Sequence, residues 1–492
     1  MMKWKQLINH KRKIVNTVFC LFILFFIFVF VIYSYRMIPE PPIPLKADAV
    51  GIALMAYNLK THGTLSMAWI NNEEQEDITP TSYREPGYPA VLALGMLLSP
   101  SLRSLPEKYF ASEDVKFQVP SKSLSYLEIA ILFLAALISM CLVLYITKSR
   151  FLSIAALFGV GFSPALLLNI RHFLTENLTA LLILGASALL MLSAKSGRKR
   201  YYLLTGVLLG MLTLTKATFQ FAWLPLIVFM MFYLYKKKVS LKKGGILLVI
   251  FLASYFAVVS PWMLRNYAHF DRAFIAERGG CVLMVRANYS MMNSKEYFAH
   301  FLLWMPTEFA QKWKERCFDD EEISRLYRSN PDGYRKRARD LRMELIEKFN
   351  DTAKADAVLT STAVKQIMTH PFRHLLTCIP IAWKGMFVEM EAYPGLYGNN
   401  LSPLISLVLF GCFFGLTVHS LIKGNWEYLA FLFLANYLFA MHVLFTHNIP
   451  RYNIPLIPVL WVGSITVLWL LASRIIDRIS KISRPEKGEE TV

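Results

Sequence analysis

Repeated apolar runs of bilayer length constrain this chain more than any other feature. The first, residues 14–35, carries no charged side chain from end to end. An α-helix rises about 1.5 Å per residue, so roughly 20 such residues cross a hydrocarbon core of about 30 Å. Inside that core no water satisfies backbone N–H and C=O groups, which leaves helices or closed barrels as the spanning forms. Nine further runs follow, at 124–146, 151–170, 178–194, 202–214, 219–235, 246–264, 404–421, 428–444 and 454–472. The expectation is an all-α polytopic membrane protein with about ten transmembrane helices. A 55% hydrophobic content over 492 residues excludes an ordinary soluble protein.

The net charge of +19 could suggest a nucleic-acid partner, but the basic residues sit in short clusters beside the spans. Lys148 and Arg150, 195–200, and 236–243 are such clusters, and the positive-inside bias makes them cytoplasmic connections. No nucleic acid is expected. With alternating direction both termini are cytoplasmic. The 14–35 run is longer than a signal peptide's apolar core and reads as a retained anchor. The implied organisation is a basic N-terminus and first span (1–37), a first exterior loop with interfacial helices (38–121), and six spans (122–264). A mostly helical exterior domain (265–403), three spans (404–473) and a basic cytoplasmic tail (474–492) complete it. The segment 379–390 could be re-entrant. Cys281, Cys317 and Cys378 fall on the exterior side, which leaves one disulfide open.

Within the first loop, Pro39, Pro41, Pro42 and Pro44 keep the chain extended. A helix then starts at Ala47, has Asp48 in its first turn, and stops near Lys60 to Gly63. Residues 71–77 read as solvated loop. The tight turn from Tyr83 to Pro89 contains Arg84, Glu85 and Tyr88, and Pro89 opens a second helix that ends at Leu98. That helix is too short to span, so it should lie along the interface.

Ionisable groups beside apolar spans are informative, because a charge at a helix centre costs about 2.5–3.5 kcal/mol even on permissive scales. Here they gather at the exterior ends: Asp48, Arg84 and Glu85 in the first loop, then Arg171, His172 and Glu176, then Lys216, Arg265 and Arg451. One outward site for an anionic ligand is the simplest inference. Each residue also has a plainer reading. Asp48 and Glu176 can cap helices, the arginines can anchor at headgroups, and His442 and His447 can be interfacial rather than metal ligands.

Several motifs together resemble the polyprenyl-phosphate-sugar-dependent membrane glycosyltransferases of the C-type fold, among them bacterial relatives of protein O-mannosyltransferases and aminoarabinose transferases. They are Asp48-x(8)-Tyr57-Asn58-Leu59, Arg84-Glu85-Pro86-Gly87-Tyr88-Pro89, Thr175-Glu176 and Gly206-x(3)-Gly210-x(3)-Leu214-Thr215-Lys216. Ser260-Pro261-Trp262-x(2)-Arg265-Asn266 and Pro450-Arg451-Tyr452-x(2)-Pro455 complete the set. The resemblance implies Asp48 as catalytic base and Arg84, Arg265 and Lys216 as binders of the donor phosphate. Glu85, Tyr88, Glu176, His172, Arg451 and Tyr452 are candidate substrate contacts. The usual acid after the catalytic Asp is absent, since Ala49 follows.

That resemblance implies an integral-membrane glycosyltransferase moving a hexose or pentose from a polyprenyl phosphate to a hydroxyl or amine. The acceptor would be a lipid, glycan or protein at the exterior face of a bacterial inner membrane. A single base with no second carboxylate argues for inversion. No Gly-rich phosphate loop and no DxD occurs, which speaks against nucleotide sugars and ATP. Some relatives bind a divalent metal, though no cluster here compels one. A transporter or flippase of a lipid-linked or anionic substrate, and a non-catalytic scaffold relative, remain the alternatives.

Overall fold

The computed structural model describes residues 2–45, 48–68, 78–104, 118–277, 279–305, 307–327, 330–391 and 401–482. The expected loop at 71–77, the expected helix start at Ala47 and the tail beyond Ile482 lie outside the described residues. The chain is a helical, multi-pass membrane protein. Helix α1 (Met2–Met37) leads to a two-residue strand β1 (Ile43–Pro44), paired antiparallel with β2 (Gln118–Val119). Between them lie α2 (Asp48–His62), α3 (Gly87–Leu98) and α4 (Pro100–Arg103). The bundle continues with α5 (Ser123–Thr147), α6 (Arg150–Gly161), α7 (Pro164–Asn169), α8 (Glu176–Ser196), α9 (Lys199–Thr215), α10 (Trp223–Lys236) and α11 (Leu241–Phe270). A polar cap follows, built from α12 (Gly279–Tyr289), α13 (Ser294–Leu303), α14 (Glu308–Cys317), α15 (Tyr334–Phe349), α16 (Thr352–Thr369) and α17 (Pro371–Gly385). The chain returns to the bundle as α18 (Leu401–Lys423), α19 (Trp426–Phe445) and α20 (Ile457–Ile482).

Among the described residues seven helical stretches are long and apolar enough to cross a membrane: Val15–Met37, α5, α8, α11, Ser402–Lys423, α19 and Pro450–Ser480. The other three expected spans are shorter or interrupted. Residues 151–170 divide at Phe162 and Ser163 because Pro164 lacks the N–H that would continue α6. Residues 219–235 divide into a 3-10 turn (Ala217–Phe219) and α10, and the run 202–214 lies within the 17 residues of α9. Burial ranks the helices: α8 is central, with 72% of its apolar window enclosed by protein, while α1 is peripheral with 11%.

Three sequence features explain how the bundle around the site is built. Helix α2 is apolar on every side, and it is correspondingly enclosed: Ala49 and the run from Gly51 to Asn58 are buried. Helix α3 starts at Gly87, two residues before Pro89, and is a short apolar piece of about 18 Å. The Gly206-x(3)-Gly210 motif lets α9 lie directly on α11. A Cβ at Gly206 would collide with Ser254 Oγ and the Phe251 carbonyl, and one at Gly210 would come within 2.7 Å of Val258 Cβ.

The cap has its own apolar cluster, including Met284, Tyr289, Ile323, Tyr334, Leu359 and Ile381. Arg286, fully buried, ties it to the bundle. It donates to the carbonyls of Val443 (2.9 Å) and His374 (2.9 Å) and to Thr377 Oγ1 (3.2 Å). Segment 379–390 is the end of amphipathic α17 and the turn that follows it. All six cysteines are free, so the disulfide left open by sequence does not form.

Because the α9–α11 contact has no room for a methyl, Gly206→Ala should destabilise the detergent-solubilised protein by about 1–3 kcal/mol, the usual cost of overpacking. A thermal melt within experimental error of wild type would refute the close packing.

Candidate active site

The first turn of α2 and the turn entering α3 meet the segment after α19 at one end of the bundle. Asp48 is the meeting point. Its Oδ1 accepts from Arg84 Nη2 at 2.9 Å, and its Oδ2 accepts from Arg451 Nη2 at 2.7 Å. Arg451 Nε lies 3.5 Å from Glu176 Oε1, which brings a second acid into the cluster. The Asp48 side chain is 33% exposed, whereas those of Arg84 and Glu176 are 10% and 5%. With Arg451 at 26%, the carboxylate and this guanidinium are the accessible members, and Arg84 and Glu176 form the walls.

Three polar atoms of this cluster are buried without a hydrogen-bond partner among the described residues: Arg84 Nε, Arg451 Nε and Glu176 Oε2. Buried groups of this kind are normally satisfied, and two of the three are cationic donors. Close approach is built in locally, since a Cβ on Gly51 would sit 3.2 Å from Arg84 Nε. Lys216, at the end of α9, holds its ammonium 5.8 Å from the ring centroid of Tyr452, the residue after Arg451. Tyr452 in turn packs between the His442 and His447 rings, with centroids 5.4 and 5.5 Å away.

Other sequence-predicted residues sit apart from the carboxylate and support the frame. Arg265 donates to the carbonyls of Thr81 (2.9 Å) and Leu65 (3.4 Å), and its guanidinium lies over Trp262, 4.6 Å from the ring centroid. Its Nη1 also donates to Asn266 Oδ1 at 2.8 Å, so its fork is bonded within the segment before Arg84 and its own helix, and not to Asp48. The rest of its motif acts the same way. Trp262 Nε1 donates to Ile275 O and Asn266 Nδ2 to Phe274 O, both at 2.9 Å, folding residues 271–277 back until Glu277 accepts from Ser82 Oγ at 2.7 Å. Glu85 accepts from the Ala217 N–H at 2.9 Å, and His172 lies exposed on the turn before α8.

Tyr88 reveals a residue that sequence reasoning passed over. Its hydroxyl donates to Glu128 Oε1 at 2.6 Å, and Asn177 Nδ2 donates to Glu128 Oε2 at 3.0 Å. This fully buried acid joins α3, α5 and α8 directly behind the Arg84 turn. A signal existed, because Glu128 is the sole charged residue of α5 and an ionisable group within a span is unusual. Lys384 and His300 were also missed. Lys384 is buried in the cap with its ammonium 4.2 Å from the Trp304 ring centroid, and among the described residues the ring nitrogens of His300 and of His447 lack hydrogen-bond partners.

A divalent ion does not fit this donor set. Both Asp48 oxygens face guanidinium groups, and no three metal-ligating side chains converge among the described residues.

No protein-family model matches the chain, and no curated protein matches it either. Among solved structures it is similar to the archaeal oligosaccharyltransferase AglB from Archaeoglobus fulgidus, in complex with an inhibitory peptide and a dolichol-phosphate. The TM-score is 0.49 and the identity 13%, over 95% of this chain and 52% of that one. It is also similar to ArnT from Cupriavidus metallidurans bound to undecaprenyl phosphate, with a TM-score of 0.34 and 12% identity over 96% of this chain and 83% of that one. The chain spans about half the length of the oligosaccharyltransferase. Identities and scores this low say nothing of what this chain binds or transfers.

Burial pushes the Lys384 ammonium down to about 7 from an ordinary 10.5, with Arg335 adding to the effect. The unfolded chain therefore binds the extra proton between those values, and stability should rise as pH climbs through that window. Lys384→Met should flatten the rise in urea-unfolding midpoints from pH 7 to pH 10. An unchanged slope would show that Lys384 is not its source.

Proposed function

We propose that this protein is an integral-membrane glycosyltransferase that moves a sugar from a polyprenyl phosphate to an acceptor hydroxyl or amine. One observation carries the reading: an accessible carboxylate is shared by two arginines, and the Nε of one of them, Arg84, is buried with no hydrogen-bond partner among the described residues. The reaction best suited to such a site has an acceptor that must give up a proton and a donor from which an anion leaves. When the bond between the anomeric carbon and the phosphate oxygen breaks, negative charge grows on the phosphate. Fixed guanidinium groups then stabilise the transition state more than the ground state. Arg84 and Arg451 take that role, with Lys216 alongside.

Asp48 is the base. As the acceptor oxygen or nitrogen attacks the anomeric carbon it passes its proton to Asp48, and the sugar's configuration inverts because the other carboxylate of the cluster, Glu176, is buried against Arg451 and does not first capture the sugar. Before the donor arrives, Asp48 occupies the charge of both arginines. An incoming phosphate competes for the same guanidinium groups, and the carboxylate it displaces becomes a free acceptor. Glu176 keeps Arg451 oriented through the exchange. An exterior face of the membrane places this end of the bundle among lipid-linked sugars and envelope acceptors.

A transporter would claim the break between α6 and α7, since discontinuous helices form transport sites. Glu389 already satisfies it, accepting from Ser163 Oγ at 2.8 Å and from the Ala165 N–H at 3.1 Å.

The competition sets a sign that a helix cap would not. Asp48→Asn should bind undecaprenyl phosphate in detergent at least as tightly as wild type, while Arg84→Ala and Arg451→Ala weaken binding about tenfold or more. Cells carrying Asp48→Asn should show the glycan and lipid profile of a strain lacking the gene, although the protein inserts normally. A wild-type profile in that strain would refute Asp48 as base, and equal binding by all three variants would refute the division of roles.

A further inference from the structure

The cap holds a second concave site, away from any residue of the Asp48 cluster. It is a cavity of about 490 Å³ between α12, α15 and α16, reaching to the start of α17. That volume lies within the range of small-molecule sites, roughly 300–1,000 Å³. Four groups able to carry positive charge line it, namely Arg325, Arg337, Lys365 and His370, and no Asp or Glu is among its lining residues. Arg325 is already compensated: Glu296 behind it accepts from Nε at 2.8 Å and from Nη2 at 2.6 Å. Among the described residues no carboxylate pairs with the other three. The cavity therefore presents a net positive field to whatever enters.

The rest of the lining is of a different chemistry. Asn288 Nδ2 donates to Tyr334 O at 3.0 Å, and Gln366 Nε2 donates to Ala287 O at 2.9 Å. These bonds fix both amides by their nitrogen ends, leaving the carbonyl ends as acceptors for hydroxyl groups. Thr362 and Thr369 add hydroxyls at the rim, and buried Tyr334 belongs to the same wall. The Tyr334 hydroxyl donates to Glu296 Oε2 at 2.6 Å, so the carboxylate that compensates Arg325 also fixes this wall. Oriented hydroxyl acceptors beside uncompensated cations suit a ligand that is both polyhydroxylated and anionic.

The geometry points to a binding site for an anionic saccharide, a sugar phosphate or a sugar acid, formed by the cap alone. The carbonyls of Asn288 and Gln366 take its hydroxyls, and Arg337 and Lys365 take its charge. The assignment is read from the cavity's own lining and does not depend on the chemistry at Asp48.

The test uses the purified full-length chain in detergent, titrated with glucose 6-phosphate, glucuronic acid, glucose and inorganic phosphate. Both anionic sugars should bind more tightly than glucose, and whichever binds better identifies the source of the charge. The exposed pair Arg337→Ala and Lys365→Ala, made together, should weaken anionic-sugar binding about tenfold or more, the worth of one charged hydrogen bond. Lys336→Ala, which removes an exposed lysine paired with Asp340 outside the cavity, should leave it within about twofold. Asp48→Asn should bind as wild type, which separates this site from the proposed reaction centre. No sugar binding, an undiminished affinity in the double variant, or glucose binding as tightly as its phosphate would overturn the assignment. Inorganic phosphate binding as tightly as glucose 6-phosphate would overturn it as a saccharide site.

Discussion

The double ion pair on Asp48 is the contact on which the rest of the site end depends. It joins residues 36 and 403 positions apart, so the first loop and the last span are tied through one carboxylate. A charge pair that is partly exposed contributes little stability by itself, because water screens it. What this one does is fix geometry. Two guanidinium groups are held at a set distance by one carboxylate, and the bundle behind them supplies the walls.

The supporting frame explains why several of the charged and aromatic residues at the span ends do not touch Asp48. Arg265 and Trp262 fold one connection back over the turn that carries Arg84, and Glu128 anchors Tyr88 from beneath. Glu85 satisfies the N–H of Ala217 beyond α9. These are buried or half-buried polar contacts that cost free energy when broken, which makes the arrangement unforgiving to small shifts. Arg286 does the same for the cap, with five nitrogen-to-acceptor contacts and only neutral acceptors. Of these five, the bond to the Val443 carbonyl crosses to the bundle, and the other four knit the cap's own helices together.

Much of this was legible in the linear chain, for physical reasons that differ by residue. Asp48, Arg84, Glu176, Lys216 and Arg451 stand out because a charge beside an apolar run needs a purpose, and four of the five meet in direct contact. Arg265 stood out for the same reason yet proved to be bonded to two carbonyls and Asn266, since sequence shows that a guanidinium is present but not which acceptors surround it. Glu128 carried the strongest signal of this type and was passed over. Lys384 and His300 carried none, because they lie in polar or amphipathic stretches where such residues are ordinary.

Sequence by itself determined that this chain is a helical membrane protein with a polar cap, because apolar length and helix rise leave no other solution in a bilayer. It also determined that acids and bases collect at span ends, where burial is least costly. Which of them touch was decided only by the tertiary structure. Helix packing, such as the α9–α11 contact at Gly206, sets how close span ends come, and connections spanning hundreds of residues set which ends are neighbours. The division between arginines that face the carboxylate and an arginine that holds a loop therefore belongs to the fold.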